Sequence, residues 1–105
     1  MAQHALEVAR GERFTFGDNW RSFLSVVSEA HITEAQDSLR QLLGVEDLHG
    51  KRFLDIGSGS GLFSLAARRL GAEVFSFDYD PASAASTAEL RQRYQPDDAD
   101  WTVGE

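Results

Sequence analysis

The chain has 105 residues, a length that suits one small domain. Its formal net charge of -7, from 17 Asp and Glu against 10 Lys and Arg, disfavours a general binder of nucleic acid or anionic membrane, because phosphate recognition needs a basic face. The absence of cysteine excludes a disulfide framework and thiolate metal sites.

Residues 1–13 are polar and mixed and read as a mobile tail. The remainder, 14–105, reads as a single partial domain, with a helical region at 14–50 and an alternating strand–helix half at 51–105. Phe14, Phe16 and Trp20 surround a Gly17-Asp18-Asn19 turn signal and read as packing aromatics, or as part of a lid over a bound ligand. A helix is predicted after Asn19, with Phe23, Leu24, Val26 and Val27 on its apolar side and His31 near its end. The next helix is predicted to start at Thr33 as N-cap, with Gln36 as capping-box partner. Ala35, Leu39, Leu42 and Leu43 share one face of it, and Gly44 sits where a helix-ending glycine is expected.

Strand and helix then alternate. Arg52 to Ile56 reads as a short strand buried on both faces. Ser60 to Leu70 reads as a helix with Leu62, Phe63, Leu65, Ala66 and Leu70 inward and Arg68 and Arg69 outward. Glu73 to Phe77 reads as a second strand. Asp80-Pro81 is an N-cap followed by proline at the first helical position, and that helix runs to about Tyr94, before Pro96. Trp101-Thr102-Val103 opens a third strand. This order implies parallel pairing with right-handed crossovers.

The richest segment is Leu54-Asp55-Ile56-Gly57-Ser58-Gly59-Ser60-Gly61. A strand leads into glycines at alternate positions, and a helix follows at once. Such a turn needs positive φ or bare backbone, lets a ligand approach the main chain, and leaves N–H donors at a helix start. The dinucleotide fingerprint G-x-G-x-x-G fails here, because Leu62 stands where its third glycine belongs. Asp55 would also repel a pyrophosphate, whereas it would attract a cationic ligand end. Asp78, after the second strand, is placed to accept bonds from ribose hydroxyls.

The stretch from Phe53 to Pro81 resembles the cofactor half of a class I S-adenosylmethionine-dependent methyltransferase. The resemblance rests on Phe53 to Gly61 and on Val74-Phe75-Ser76-Phe77-Asp78. It implies an α/β, Rossmann-like parallel sheet with flanking helices, truncated to N-terminal helices followed by β-α-β-α-β. It also implies S-adenosylmethionine as cofactor. The expected cofactor-binding residues are Asp55, Gly57, Ser58, Gly59, Gly61, Asp78 and Tyr79. The glycine turn would hold the methionine end and ribose, Asp78 the ribose hydroxyls, and Tyr79 would flank the adenine. The ammonium and sulfonium of that cofactor suit Asp55. Each residue also has a plainer reading: turn glycines, a cap for nearby N–H groups at Asp55, a cap for the following turn at Asp78, and a surface tyrosine at Tyr79.

No catalytic residue is named, since direct methyl displacement requires mainly alignment. No metal site is expected: His31 and His49 lack partners at ligand spacing, His4 lies in the tail, and the acidic run Asp97-Asp98-Ala99-Asp100 lacks the glycine and closing glutamate of a calcium loop. That run reads as a solvated turn. A small molecule is favoured as methyl acceptor, with nucleic acid disfavoured. No run approaches the ~20 apolar residues of a membrane span, and no signal peptide opens the chain, so a cytoplasmic location without a membrane partner is expected. The resemblance further implies that the strand normally on one side of Arg52 to Ile56 is missing. Self-association through that exposed edge, or marginal stability, is therefore expected unless the N-terminal helices cover it, and no turnover by the chain alone is expected. The competing readings are an NAD-binding oxidoreductase fragment and a non-catalytic scaffold with the same fold.

Overall fold

The computed structural model describes residues 16–104. Two helices come first, α1 (Phe16–Val26) and α2 (Glu29–Leu43). They are followed by β1 (Arg52–Ile56), α3 (Leu62–Arg69), β2 (Glu73–Phe77), α4 (Pro81–Tyr94) and β3 (Trp101–Gly104). The expected tail at 1–13 and Phe14 lie outside the described residues.

The three strands form one parallel sheet in the order β1-β2-β3. Ile56 stands opposite Phe77, and Phe77 opposite Gly104, so all three strands end on one edge. The chain moves in one direction across the sheet, and right-handed crossovers then place both connecting helices on one face. That face carries Val74 and Trp101, 0% and 1% exposed, against Leu65 and Ala66 of α3 and Leu90 of α4. Outside this layer α2 packs on α3 and α1 on α4. Arg69 makes a forked ion pair with Glu29 between α3 and α2, and its guanidinium lies 5.7 Å from the Tyr94 ring centroid.

Both helical starts in the N-terminal region differ from expectation. Gly17, Asp18 and Asn19 lie within α1 rather than in a turn before it. The α2 N-cap is Ser28, not Thr33, so Thr33 and Gln36 are ordinary helix positions. His31 takes the capping-box role, its Nδ1 accepting the Ser28 N–H at 3.1 Å. A histidine acceptor at that position is outside the usual Glu or Gln pattern, which hid the true start. Gly44 ends the helix with φ of 67°, as expected. Leu42 and Leu43 are largely exposed, so only Ile32, Ala35 and Leu39 of α2 reach the core.

A second difference concerns the sheet. β1 has the expected bounds but is not buried on both faces. Leu54 and Ile56 are 64% and 71% exposed, and Phe75 and Phe77 beside them on β2 are also exposed. These side chains alternate with the covered ones and share the face opposite α3 and α4. Among the described residues nothing covers that face, and β1 is an edge strand of the sheet. The apolar content that suggested a doubly buried strand is therefore real, and one of its two faces is bare.

The acidic run after α4 is also more tightly held than a solvated turn. Asp98 accepts Arg68 Nε at 2.8 Å and Gln95 Nε2 at 2.9 Å, and its backbone carbonyl accepts Arg91 at 2.7 Å. Burial pushes the Asp98 carboxyl up, but the Gln95 side chain, the Asp100 N–H and Arg68 together hold it below the usual carboxylate range. These bonds lock the entry into β3. Among the described residues no group of His, Cys, Asp and Glu could hold a metal ion, and no helix is long and apolar enough to cross a membrane.

Candidate cofactor site

The site forms where β1 and β2 end side by side. Gly57, Gly59 and Gly61 all have positive φ, at 79°, 58° and 89°. L-residues reach that region at a cost of about 1–2 kcal/mol, so glycine is what the turn requires. Gly61 has a second constraint. A Cβ there would lie 2.9 Å from Thr87 Cα, in the space where α4 passes the start of α3. The missing side chain at this position serves helix packing, a role the sequence pattern does not distinguish from ligand approach.

The turn is tied down by its own surroundings. Gly57 and Ser58 N–H donate to the Phe77 carbonyl at 2.6 and 3.2 Å, and Gly61 N–H to the Ser58 carbonyl at 3.0 Å. Leu62 N–H reaches Ser60 Oγ at 3.3 Å. Thr87 Oγ1 donates to the Gly59 carbonyl at 3.2 Å and is 2.8 Å from Ser58 Oγ. The expectation of several free N–H donors is thus reduced. Among the described residues the N–H of Ser60 is the one in this run with no protein acceptor.

The two acids behave differently. Asp78 is 0% exposed. Its Oδ2 accepts the Gly59 N–H at 3.1 Å and its Oδ1 the Asp80 N–H at 3.0 Å. The residue expected to face ribose hydroxyls therefore holds the glycine turn in this structure. Ribose contact at Asp78 requires some opening of the turn. Asp80, by contrast, caps α4 as expected, with Oδ2 accepting both Ser83 N–H and Ser83 Oγ.

Asp55 is partly buried, and its Oδ2 accepts Ser64 Oγ at 2.7 Å. Burial pushes its carboxyl above the usual range. The Ser64 hydroxyl pulls it down, and the nearby Asp78 charge pushes it up again. Two carboxylates beside one turn raise the local negative potential, which suits a cation and opposes a pyrophosphate. Tyr79, 79% exposed, projects next to Asp78. The structure thus brings Asp55, the glycine turn, Asp78 and Tyr79 to one edge of the sheet. His31 and His49 are exposed and stand outside it. Thr87 and Ser64 belong to the local architecture but were not expected from sequence. Both lie on helices, at positions that no motif marks.

Parallel strands with helical crossovers, and an acid-flanked glycine turn at the strand ends, define the Rossmann-like fold of the methyltransferases. The sequence comparisons narrow this class. A family model described as ribosomal protein L11 methyltransferase (PrmA) matches residues 31–101. The chain belongs to that family. It is 50% identical over 42 residues to the ribosomal protein L11 methyltransferase of Deinococcus radiodurans, covering 39% of this chain and 15% of the relative. Identity to the same-named protein of Alteromonas mediterranea is 46% over 56 residues, covering 52% and 19%. The matches thus span less than a fifth of either relative's length. Among solved structures, a putative RNA methyltransferase from Pyrococcus horikoshii superposes with a TM-score of 0.51 at 27% identity, covering 70% of this chain and 34% of that one.

Proposed function

We propose that the chain is the S-adenosylmethionine-binding part of a protein methyltransferase. The observation that carries this reading is the pair of carboxylates, Asp55 and Asp78, brought to one glycine turn; burial first, and the Asp78 charge in smaller part, hold the Asp55 carboxyl above its ordinary range. A ligand end bearing an ammonium relieves that repulsion, and a pyrophosphate adds to it. Family membership supports the same cofactor class.

In this reading Asp55 receives the ammonium of the methionine end and the turn Gly57–Gly61 packs against it, with Ser58 as part of that wall. Asp78 takes the ribose hydroxyls once its contact with Gly59 loosens, and Tyr79 covers the adenine. The bound cofactor supplies an electrophilic methyl group on sulfur. The protein's task is alignment and exclusion of water, so no general base is assigned. The proposed division keeps 14–50 as a helical region, whose described helices back α3 and α4, and 51–105 as the cofactor half.

The sequence alone favoured a small-molecule acceptor. The relatives are named for methylation of a ribosomal protein, and that moves the proposed acceptor to a protein of the L11 kind. The oxidoreductase alternative finds no support among these relatives. The reading is tested by titrating the chain with S-adenosylhomocysteine and, separately, with NAD while following backbone amide shifts. Shifts at residues 57–61 and 78 with the first ligand alone are expected. The same shifts with NAD would overturn the reading, and no response to either would favour a scaffold role.

A further inference from the structure

Four polar side chains form one line through the apolar interface between sheet and helices. Trp101 Nε1 on β3 donates to Ser76 Oγ on β2 at 2.8 Å. Ser76 Oγ donates to Ser64 Oγ on α3 at 2.5 Å. Ser64 Oγ donates to Asp55 Oδ2 on β1 at 2.7 Å. The first three residues are 1%, 3% and 0% exposed. The line therefore runs from the far strand of the sheet to the proposed ligand edge without meeting solvent.

Its direction is fixed by chemistry. An indole N–H donates and cannot accept, while a hydroxyl has one proton to give. An ionised Asp55 accepts and cannot donate, so the Ser64 proton goes to Asp55. Ser64 then takes the Ser76 proton, and Ser76, with no proton left to give, accepts from Trp101. Every donor in the line points at the carboxylate, and an ionised acceptor is the end point that strengthens each link. Three polar groups in a packed interface are costly unless satisfied, and this arrangement satisfies them only in this one sense. The Ser64 bond also opposes the burial and the Asp78 charge that disfavour ionisation of Asp55.

We propose that Trp101, Ser76 and Ser64 are positioning residues, a one-way hydrogen-bond relay that turns Asp55 Oδ2 inward and leaves Oδ1 as the oxygen offered to the ligand's ammonium. The ammonium rests on the function proposed above; the relay rests on the four side chains alone.

The test uses the 105-residue chain and Ser64→Ala, which removes the last donor and leaves a smaller side chain in its place. Titration of the Asp55 carboxyl, read from its side-chain carbon resonance in the unliganded protein, should move up by about one pH unit. Binding of S-adenosylhomocysteine should weaken about 5–10-fold, because the carboxylate loses the bond that orients it. Binding of 5′-methylthioadenosine, which lacks the amino-acid end, should be unchanged. Trp101→Phe, which keeps the aromatic bulk and removes the first donor, should move the titration in the same direction by less. An Asp55 titration unmoved by Ser64→Ala overturns the relay, whatever binds. Equal weakening of both nucleosides overturns the positioning role, because the pocket as a whole has then deformed. If the unaltered chain binds neither nucleoside, the functional reading falls and the ammonium with it, while the titration still decides whether the relay acts on Asp55.

Discussion

Asp78 accepts the N–H of Gly59 at 3.1 Å, tying the end of β2 to the turn that follows β1. The bond is buried and charge-assisted, so it is stronger than a neutral one. It closes the turn from the side opposite Thr87, which donates to the Gly59 carbonyl. Gly59 is thereby held at both its N–H and its carbonyl.

Removing that grip should loosen the turn before it unfolds the sheet. Asp78→Ala should cost about 2 kcal/mol in urea unfolding, the usual size for a bond to a charged group. Hydrogen exchange at the Gly59 amide should accelerate more than at the Leu70 amide, which donates to Ala66 of α3. Equal acceleration at both would show that Asp78 supports the domain rather than the turn.

Gly61 and Gly50 separate two reasons for glycine. Both have positive φ, but a Cβ at Gly50 meets nothing within 4 Å, whereas one at Gly61 meets Thr87 Cα. Gly50→Ala should cost about 1–2 kcal/mol from backbone conformation alone. Gly61→Ala adds an overpacking cost of about 1–3 kcal/mol. Denaturation midpoints of the two variants measured side by side check the difference. Equal losses would show that α4 gives way at Thr87.

Asp55 should trade stability for ligand attraction. Its carboxyl is raised by burial above the value it has when unfolded. Between those two values the folded state holds more protons than the unfolded one, so stability falls as pH rises through that window. Asp55→Asn keeps an oxygen for Ser64 and removes the charge beside Asp78. It should raise the thermal midpoint at neutral pH and flatten that decline. A variant that melts lower at neutral pH, with the decline intact, would contradict the assigned cause.

The bare sheet face predicts association. Leu54, Ile56, Phe75 and Phe77 form an apolar patch beside the open edge of β1, and such edges pair with other chains. Sedimentation should show concentration-dependent oligomers, and Ile56→Lys should reduce them. A monodisperse monomer across the concentration range would contradict the prediction.

Much of the α/β half is legible in the sequence because its signals are local. β1, β2 and α4 fall within their expected bounds, since Gly57 closes the first apolar run, Asp78 closes the second, and Asp80-Pro81 marks a helix start. The N-terminal starts were not legible, because His31 performs a capping role usually given to Glu or Gln. Exposure of Leu54 and Phe75 was not legible either. Alternation tells which residues share a face, but not whether anything covers it. The acids and glycines of the site stood out by spacing. Ser64 and Thr87 did not, because their roles come from contacts spanning 9 residues to Asp55 and 28 to Gly59. Asp98 was misread for the same reason: its partner Arg68 lies 30 residues away.

The central claim is that the acid-flanked turn selects a cationic adenosyl amino acid. Calorimetric titration of S-adenosylmethionine into the unaltered chain and into Asp55→Asn tests it most directly. Saturable binding by the unaltered chain, weakened about tenfold or more by Asp55→Asn, is the predicted result, since a charge-assisted bond to the ammonium is worth about 1.5–3 kcal/mol. Binding that is equally tight in both proteins would contradict the claim.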